Sequence, residues 1–214
     1  MRKTDFYEFC DIVEKLRAPG GCPWDREQTH ETLKKHLIEE AYEVADAIDE
    51  GKSMDIADEL GDVLLQVVMH AQIGKEEGTF DINDVTDLVS KKMIERHPHV
   101  FGDVSVKNSE EVLDNWEEIK KAQRGQKTVY ESMNSVTKSL PALLRSQKVI
   151  KKAIKGGLYN IEEETTLNEE ELGRKLFELC ALAVGSGIDA EESLISYTKK
   201  FIKNFNKIEE NTLI

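Results

Sequence analysis

Apolar residues recur at helical spacing along nearly the whole 214-residue chain, and alternating β-branched runs are nearly absent. That periodicity restricts the chain to an all-α fold. One stretch restricts it further: "KKHLIEEAYEVADAIDEGKSMDIADELGDVLLQVV", residues 34–68. Leu37, Ala41, Val44 and Ile48 make a stripe spaced 4, 3, 4, and Ile56, Leu60, Val63 and Val67 repeat it 19 residues later. Gly51 separates the two arms and suits the left-handed position that closes a helix. The pattern predicts two antiparallel helices packed stripe to stripe, the hairpin on which a helical bundle is built.

The carboxylates follow the same register. Glu40 and Glu43 fall on one flank of the first stripe, and Glu59 and Asp62 on the corresponding flank of the second. Packing about a local two-fold axis brings both flanks to one side of the hairpin. Four converging carboxylates repel one another unless water solvates them or a cation lies between them. An acidic, solvated helix face explains E-E-x-x-E alone, whereas the matched E-x-x-D on the second arm favours a hard divalent ion, Mg²⁺ first.

The rest of the chain reads as further helices. The first covers Asp5 to Arg17 and stops at "APGGCPWD". The hairpin arms run from the N-cap Thr29 to Glu50 and from Ser53 or Met54 to about Glu76. Others span Ile82–His97, the residues after Ser109 up to Arg124, Leu140–Lys155, Glu169–Gly185 and Ala190–Glu210. Residues 126–139 are polar and irregular, which suggests a linker between portions 1–125 and 140–214. An internal repeat supports that division: "DELGDVLLQVVMHA" (58–71) matches "EELGRKLFELCALA" (170–183), and "LVSKKMIER" (88–96) matches "SYTKKFIKN" (196–204). In the second copy Arg174 stands where Asp62 stands in the first, and Asn204 where Arg96 stands. "NIEEETTLNEEE" is too short and interrupted to replace the Glu39–Glu43 helix. A copy that keeps apolar positions and loses carboxylates has kept its fold and shed its chemistry.

A formal net charge of −13 argues against a nucleic-acid partner, which needs a basic face. It allows a phosphate-bearing small molecule if a divalent cation bridges the charges. No apolar run reaches the ~20 residues of a membrane span. The N-terminus has no apolar secretory segment. Three scattered cysteines (Cys10, Cys22, Cys180) do not form a disulfide framework. These features point to a cytoplasmic protein. The histidines lack the spacing and cysteine partners of a zinc site, and the hairpin lacks the E-x-x-H pairs of a di-iron bundle.

E-E-x-x-E (39–43), a 15-residue gap and E-x-x-D (59–62) resemble the signature of the all-α nucleoside triphosphate pyrophosphohydrolases, and of the MazG family in particular. "GGCPWDREQTH", "ERHPHVFGD", "EVLDNWEEIKKAQR" and "SLPALLRSQK" resemble MazG segments in the same order. The resemblance covers nearly the whole chain, including the tandem arrangement with a degenerate second copy. It implies Mg²⁺-dependent hydrolysis of a nucleoside triphosphate to monophosphate and pyrophosphate, with Mn²⁺ able to substitute for Mg²⁺. It also implies a homodimer, and either broad house-cleaning or a preference for damaged nucleotides.

Residue by residue, the resemblance implies metal ligands at Glu40, Glu43, Glu59 and Asp62. Glu39 is left to orient or deprotonate the attacking water, or to hold a second ion. It implies triphosphate contacts at Lys92 and Arg96, which otherwise read as an ordinary surface pair one helical turn apart. Trp116 and Lys120 match positions near the nucleotide. His36 precedes Glu40 by one turn and points to the same region. Trp24, His97 and His99 either line the base pocket or pin their loops. A regulatory protein that senses nucleotides or docks a partner would use most of the same residues, so turnover is what separates it from an enzyme.

Overall fold

A computed structural model describes residues 3–161 and 167–212, with side chains of the last helix described through Phe205. Among the described residues every regular element is a helix. In chain order these are α1 (Phe6–Arg17), α2 (Pro23–Glu27), α3 (His30–Glu50), α4 (Ser53–Glu77), α5 (Ile82–Arg96), α6 (Pro98–Phe101), α7 (Ser109–Gln123), α8 (Val129–Asn134), α9 (Ala142–Lys155), α10 (Glu169–Gly185) and α11 (Ala190–Thr212). The long helices begin and end within two residues of their predicted bounds. The short ones, α2, α6 and α8, were not expected. Pro23 and Pro98 each start a helical turn by pre-setting φ. The 126–139 stretch, read as a linker, holds α8, whose Thr128 and Glu131 form a capping box. The acidic stretch 160–171 lies partly outside the described residues.

The chain divides into two compact units, Met1–Asp103 and Val104–Ile214. In the first, α3 and α4 form the most extensive helix pair, and α1 and α5 pack on α4. Gly51 turns the hairpin at φ 73°, its N–H donating to the carbonyls of Ala47 and Ile48. The core lies at the other end of the hairpin. Val13 of α1, Leu33 of α3 and Val68, Met69 and Ile73 of α4 are buried together, with Phe6, Phe9 and Leu65 packed around them. There the Arg17 guanidinium joins three elements. Its Nε donates to Glu76 at 3.0 and 3.2 Å, Nη2 to Glu76 at 2.7 Å, and Nη1 to the carbonyls of Gln28 (3.1 Å) and Asp25. Gly21 is required by the same turn, because a Cβ there would lie 2.3 Å from the Leu16 carbonyl oxygen.

The predicted packing stripe needs one correction. The residues that turn inward on α3 are Leu33, Leu37, Glu40, Val44 and Ala47, and on α4 they are Ile56, Glu59, Val63, Gln66 and His70. Ala41, Ile48 and Leu60 are exposed instead. Apolar content alone drew the stripe through Ala41 and Leu60. The packed helices place Glu40 and Glu59, half-buried, in the seam itself and not on its flank.

In the second unit α9 packs against α8 and α11. Met133, Val136, Val149, Ala153 and Ile202 are its core. A buried hydrogen bond of 2.7 Å joins the hydroxyls of Ser146 and Thr198, and Glu191 accepts from the Ala142 N–H at 2.6 Å.

Candidate functional site

The seam sets the site. Glu40 and Glu43 stand three residues apart on α3, and Glu59 stands opposite on α4. Each of the three offers a carboxylate oxygen within 4.8 Å of the others. Burial, then the charges of Asp62 and Glu43, push the Glu40 carboxyl above its ordinary range. Burial, then Glu43 and Asp62, push Glu59 up in the same way. Asp62, one turn beyond Glu59, is thus part of the same field although its own carboxylate is exposed.

The donor set fits a hard divalent ion. All the ligand atoms are carboxylate oxygens, and opposite ligands of an octahedral Mg²⁺ lie up to about 4.2 Å apart. A small rotamer adjustment brings oxygens within 4.8 Å to that separation. Among the described residues no other cluster of three His, Cys, Asp or Glu side chains is this tight.

Around the seam, Glu39 faces solvent and pairs with His36, Nδ1 to Oε2 at 3.4 Å. Trp24 lies edge-on to the His36 ring, with centroids 6.2 Å apart. Three of the residues picked out in the sequence therefore lie in a row beside Glu40. The Trp24 segment is held by Arg17 through the Asp25 and Gln28 carbonyls, and by the Gln28 side chain donating to the Trp24 carbonyl at 2.9 Å. Lys92 is exposed and Arg96 half-buried on α5. His97 caps that helix through its Nδ1, 2.6 Å from the Met93 carbonyl oxygen, and its ring lies 5.6 Å from that of His99. This pins the loop after α5.

Trp116 and Lys120 belong to the second unit, on α7, with the Lys120 ammonium 4.7 Å from the centre of the Trp116 ring. They line a cavity there of about 490 Å³. The sequence reading did not single out the lysines of α9 that share this cavity. Their i, i+3, i+4, i+7 spacing (Lys148, Lys151, Lys152, Lys155) was the available signal. The reading also missed the His30–His70 pair, whose Nδ1 atoms are 2.7 Å apart and tie the first residue of α3 to α4. Burial, then His30, lowers the His70 pKa. Among the described residues no helix is long and apolar enough to cross a membrane, and all three cysteines are free.

Comparison with known proteins agrees with this geometry. Residues 28–101, which contain the α3–α4 seam and α5, match the MazG nucleotide pyrophosphohydrolase domain. The chain is 40% identical to the nucleoside triphosphate pyrophosphohydrolase of Escherichia coli (strain K12), over 92% of this chain and 84% of that protein. It is 41% identical to the nucleoside triphosphate pyrophosphohydrolase/pyrophosphatase MazG of Thermotoga maritima, over 96% and 86%. A protein of Bacillus subtilis called YabN is 43% identical over 96% of this chain, which spans 46% of YabN. With the domain match spanning the hairpin and the likeness running nearly end to end, the chain belongs to the MazG family of nucleoside triphosphate pyrophosphohydrolases, hydrolases of acid anhydrides.

Proposed function

We propose that the chain hydrolyses nucleoside triphosphates, ribo or deoxy, to monophosphate and pyrophosphate at the α3–α4 seam. The observation that carries this reading is the convergence of the half-buried Glu40 and Glu59 with the exposed Glu43, with Asp62 in their field. These four would hold Mg²⁺, or Mn²⁺ in its place. The bound ion supplies charge neutralisation at the α-phosphoryl group and lowers the pKa of water. Glu39, paired with His36, accepts a proton from the attacking water. A new bond forms from the water oxygen to the α-phosphorus, the α–β bridging bond breaks, and pyrophosphate leaves with the electron pair. Lys92 and Arg96 grip the triphosphate, with the Arg fork suited to two phosphate oxygens. Trp24 and His36 contact the nucleotide at this seam.

The chemistry belongs to the 1–125 portion, and residues 140–214 are a degenerate repeat of it. Homodimerisation is supported by the exposed apolar side chains along the hairpin: Ile38, Tyr42, Ile48, Met54 and Leu60. We place the protein in the cytoplasm, acting on non-standard nucleotides in a house-cleaning role.

The test is product analysis across a panel of NTPs and dNTPs, with Mg²⁺ or EDTA, beside Glu40→Gln. The expected result is NMP and pyrophosphate that need both the ion and Glu40. Release of NDP and orthophosphate refutes the α-phosphoryl chemistry. Binding without turnover makes the chain a nucleotide sensor.

A further inference from the structure

Beyond the seam carboxylates, the hairpin carries a pair of histidines. His30 is the first residue of α3 and His70 lies on the inward face of α4, with their Nδ1 atoms 2.7 Å apart. The ring planes are within 9° of parallel and the ring centres are 5.0 Å apart. Rings stacked face to face keep their atoms about 3.5 Å apart or more. These two therefore meet edge to edge, their centres about as far apart as the nitrogen distance allows. That is the in-plane geometry of an N–H···N hydrogen bond, in which one nitrogen donates the bridging proton and the other accepts it.

The surroundings decide where further protons go. His30 Nε2 lies 3.8 Å from a Glu77 carboxylate oxygen, and the His30 side chain is 32% exposed. His70 has no ion pair among the described residues, and burial, then His30, lowers its pKa. Gln66, one turn before His70, is neutral, and the Phe80 ring lies 5.9 Å from that of His30. Glu31 and Lys34 on α3 are exposed and opposite in charge. From α1, Arg17 is committed to Glu76 and to the Asp25 and Gln28 carbonyls. From the start of α5, Asp81 accepts from the N–H groups of Asn83 and Asp84. A first added proton thus goes to His30 Nε2, beside Glu77, and makes the bridge a charge-assisted bond. A second has the accepting Nδ1 of His70 as its place. Two donors and two positive charges then face each other across the bridge, and the bond is lost.

The pair fastens more than two helices. Thr29 and Thr32 form the capping box around His30. The Thr32 hydroxyl donates to the Gln28 carboxamide oxygen at 2.8 Å, and Gln28 Nε2 donates to the Trp24 carbonyl at 2.9 Å. The first turn of α3 therefore carries the Trp24 segment, whose indole lies edge-on to His36. Arg17 also holds that segment, but a guanidinium does not titrate. We propose that His30 and His70 are a positioning pair that shares one proton, keeps the Trp24 segment in place when one proton is added, and releases it when a second is added. The inference goes beyond the proposed hydrolysis and does not depend on it.

The experiment is nitrogen-15 NMR of the full chain labelled at histidine, titrated from neutral to acid pH. Beside it, the emission of Trp24 is followed in a Trp116→Phe/His36→Gln chain, where Trp24 is the sole indole and no imidazole adjoins it. A through-bond coupling between the two Nδ1 nuclei is expected at neutral pH, persisting through the first proton uptake and lost at the second. The second step is expected below about 6.5, the ordinary imidazole value, because the His70 pKa is lowered. Trp24 emission is expected to shift with the second step and not with the first. In that background His70→Gln, whose carboxamide oxygen accepts from His30 at every pH, is expected to lose the shift while keeping the helical circular dichroism of the parent. His30→Gln, whose carboxamide can donate to His70 or accept from it, is expected to behave in the same way. No coupling at neutral pH, no emission shift, a shift at the first step alone, or a shift that persists in either glutamine variant overturns the proposal.

Discussion

Replacing Arg17 tests the packing that holds the Trp24 segment beside the seam. The side chain is 5% exposed and gives two N–H groups to Glu76 and a third to the carbonyls of Asp25 and Gln28. In Arg17→Ala, Glu76, which is 39% exposed, rehydrates and adds little. The two carbonyls lose their shared donor, at about 1–3 kcal/mol for each buried group left unpaired. The methylene stem leaves a gap beside α1. Together these come to about 3 kcal/mol, a large share of a typical 5–15 kcal/mol stability. In a unit of this size that lowers the melting temperature by roughly 10–20 °C. Urea unfolding followed by Trp24 fluorescence in a Trp116→Phe background reads the first unit alone. Arg17→Lys should recover less than half, because an ammonium cannot span carboxylate and carbonyls at once.

The pH dependence follows from Glu76, whose carboxyl the Arg17 hydrogen bond holds below its ordinary value. A depressed carboxylate contributes stability that is fully present above its unfolded pKa and is lost as pH falls through its folded value. The difference between parent and Arg17→Ala should therefore shrink in acid. A loss below about 1 kcal/mol at neutral pH refutes the reasoning.

Three further outcomes follow from the same geometry. In EDTA, Glu40→Gln should melt higher than the parent, because one of the mutually repelling seam carboxylates is gone, and Mg²⁺ should no longer raise its melting temperature; saturating ion at 100-fold over Kd stabilises the parent by about 2.7 kcal/mol. Lys92→Ala and Arg96→Ala, assayed by pyrophosphate release, should each raise KM by about tenfold with the helical signal in circular dichroism unchanged, as expected for a lost phosphate contact on α5. His70 has its pKa lowered by burial and by His30. Its unfolded state therefore binds more protons below the ordinary imidazole value, and stability should fall as pH drops through that value, a dependence that His70→Gln flattens in thermal melts.

The amino-acid sequence alone determined the helices and their ends, because periodicity, caps and glycine stops act within a few residues of chain. Thr29, Gly51 and Gly78 mark their termini where the spacing put them. It also determined that Glu40, Glu43, Glu59 and Asp62 share a register, since a 19-residue offset at helical phase survives any reasonable packing of a hairpin. What the sequence left open was rotation of each helix about its axis. Ala41 and Leu60 looked like seam residues by polarity, yet Glu40 and Glu59 occupy the seam, and only packing against α1 and α5 decides between faces about 100° apart. Tertiary structure alone brought Trp24 beside His36, because the Arg17 contacts that hold the α2 segment reach across 59 residues to Glu76. It alone made a cavity of the α9 lysines, since Lys148 and Trp116 are 32 residues apart in sequence and no local rule relates them.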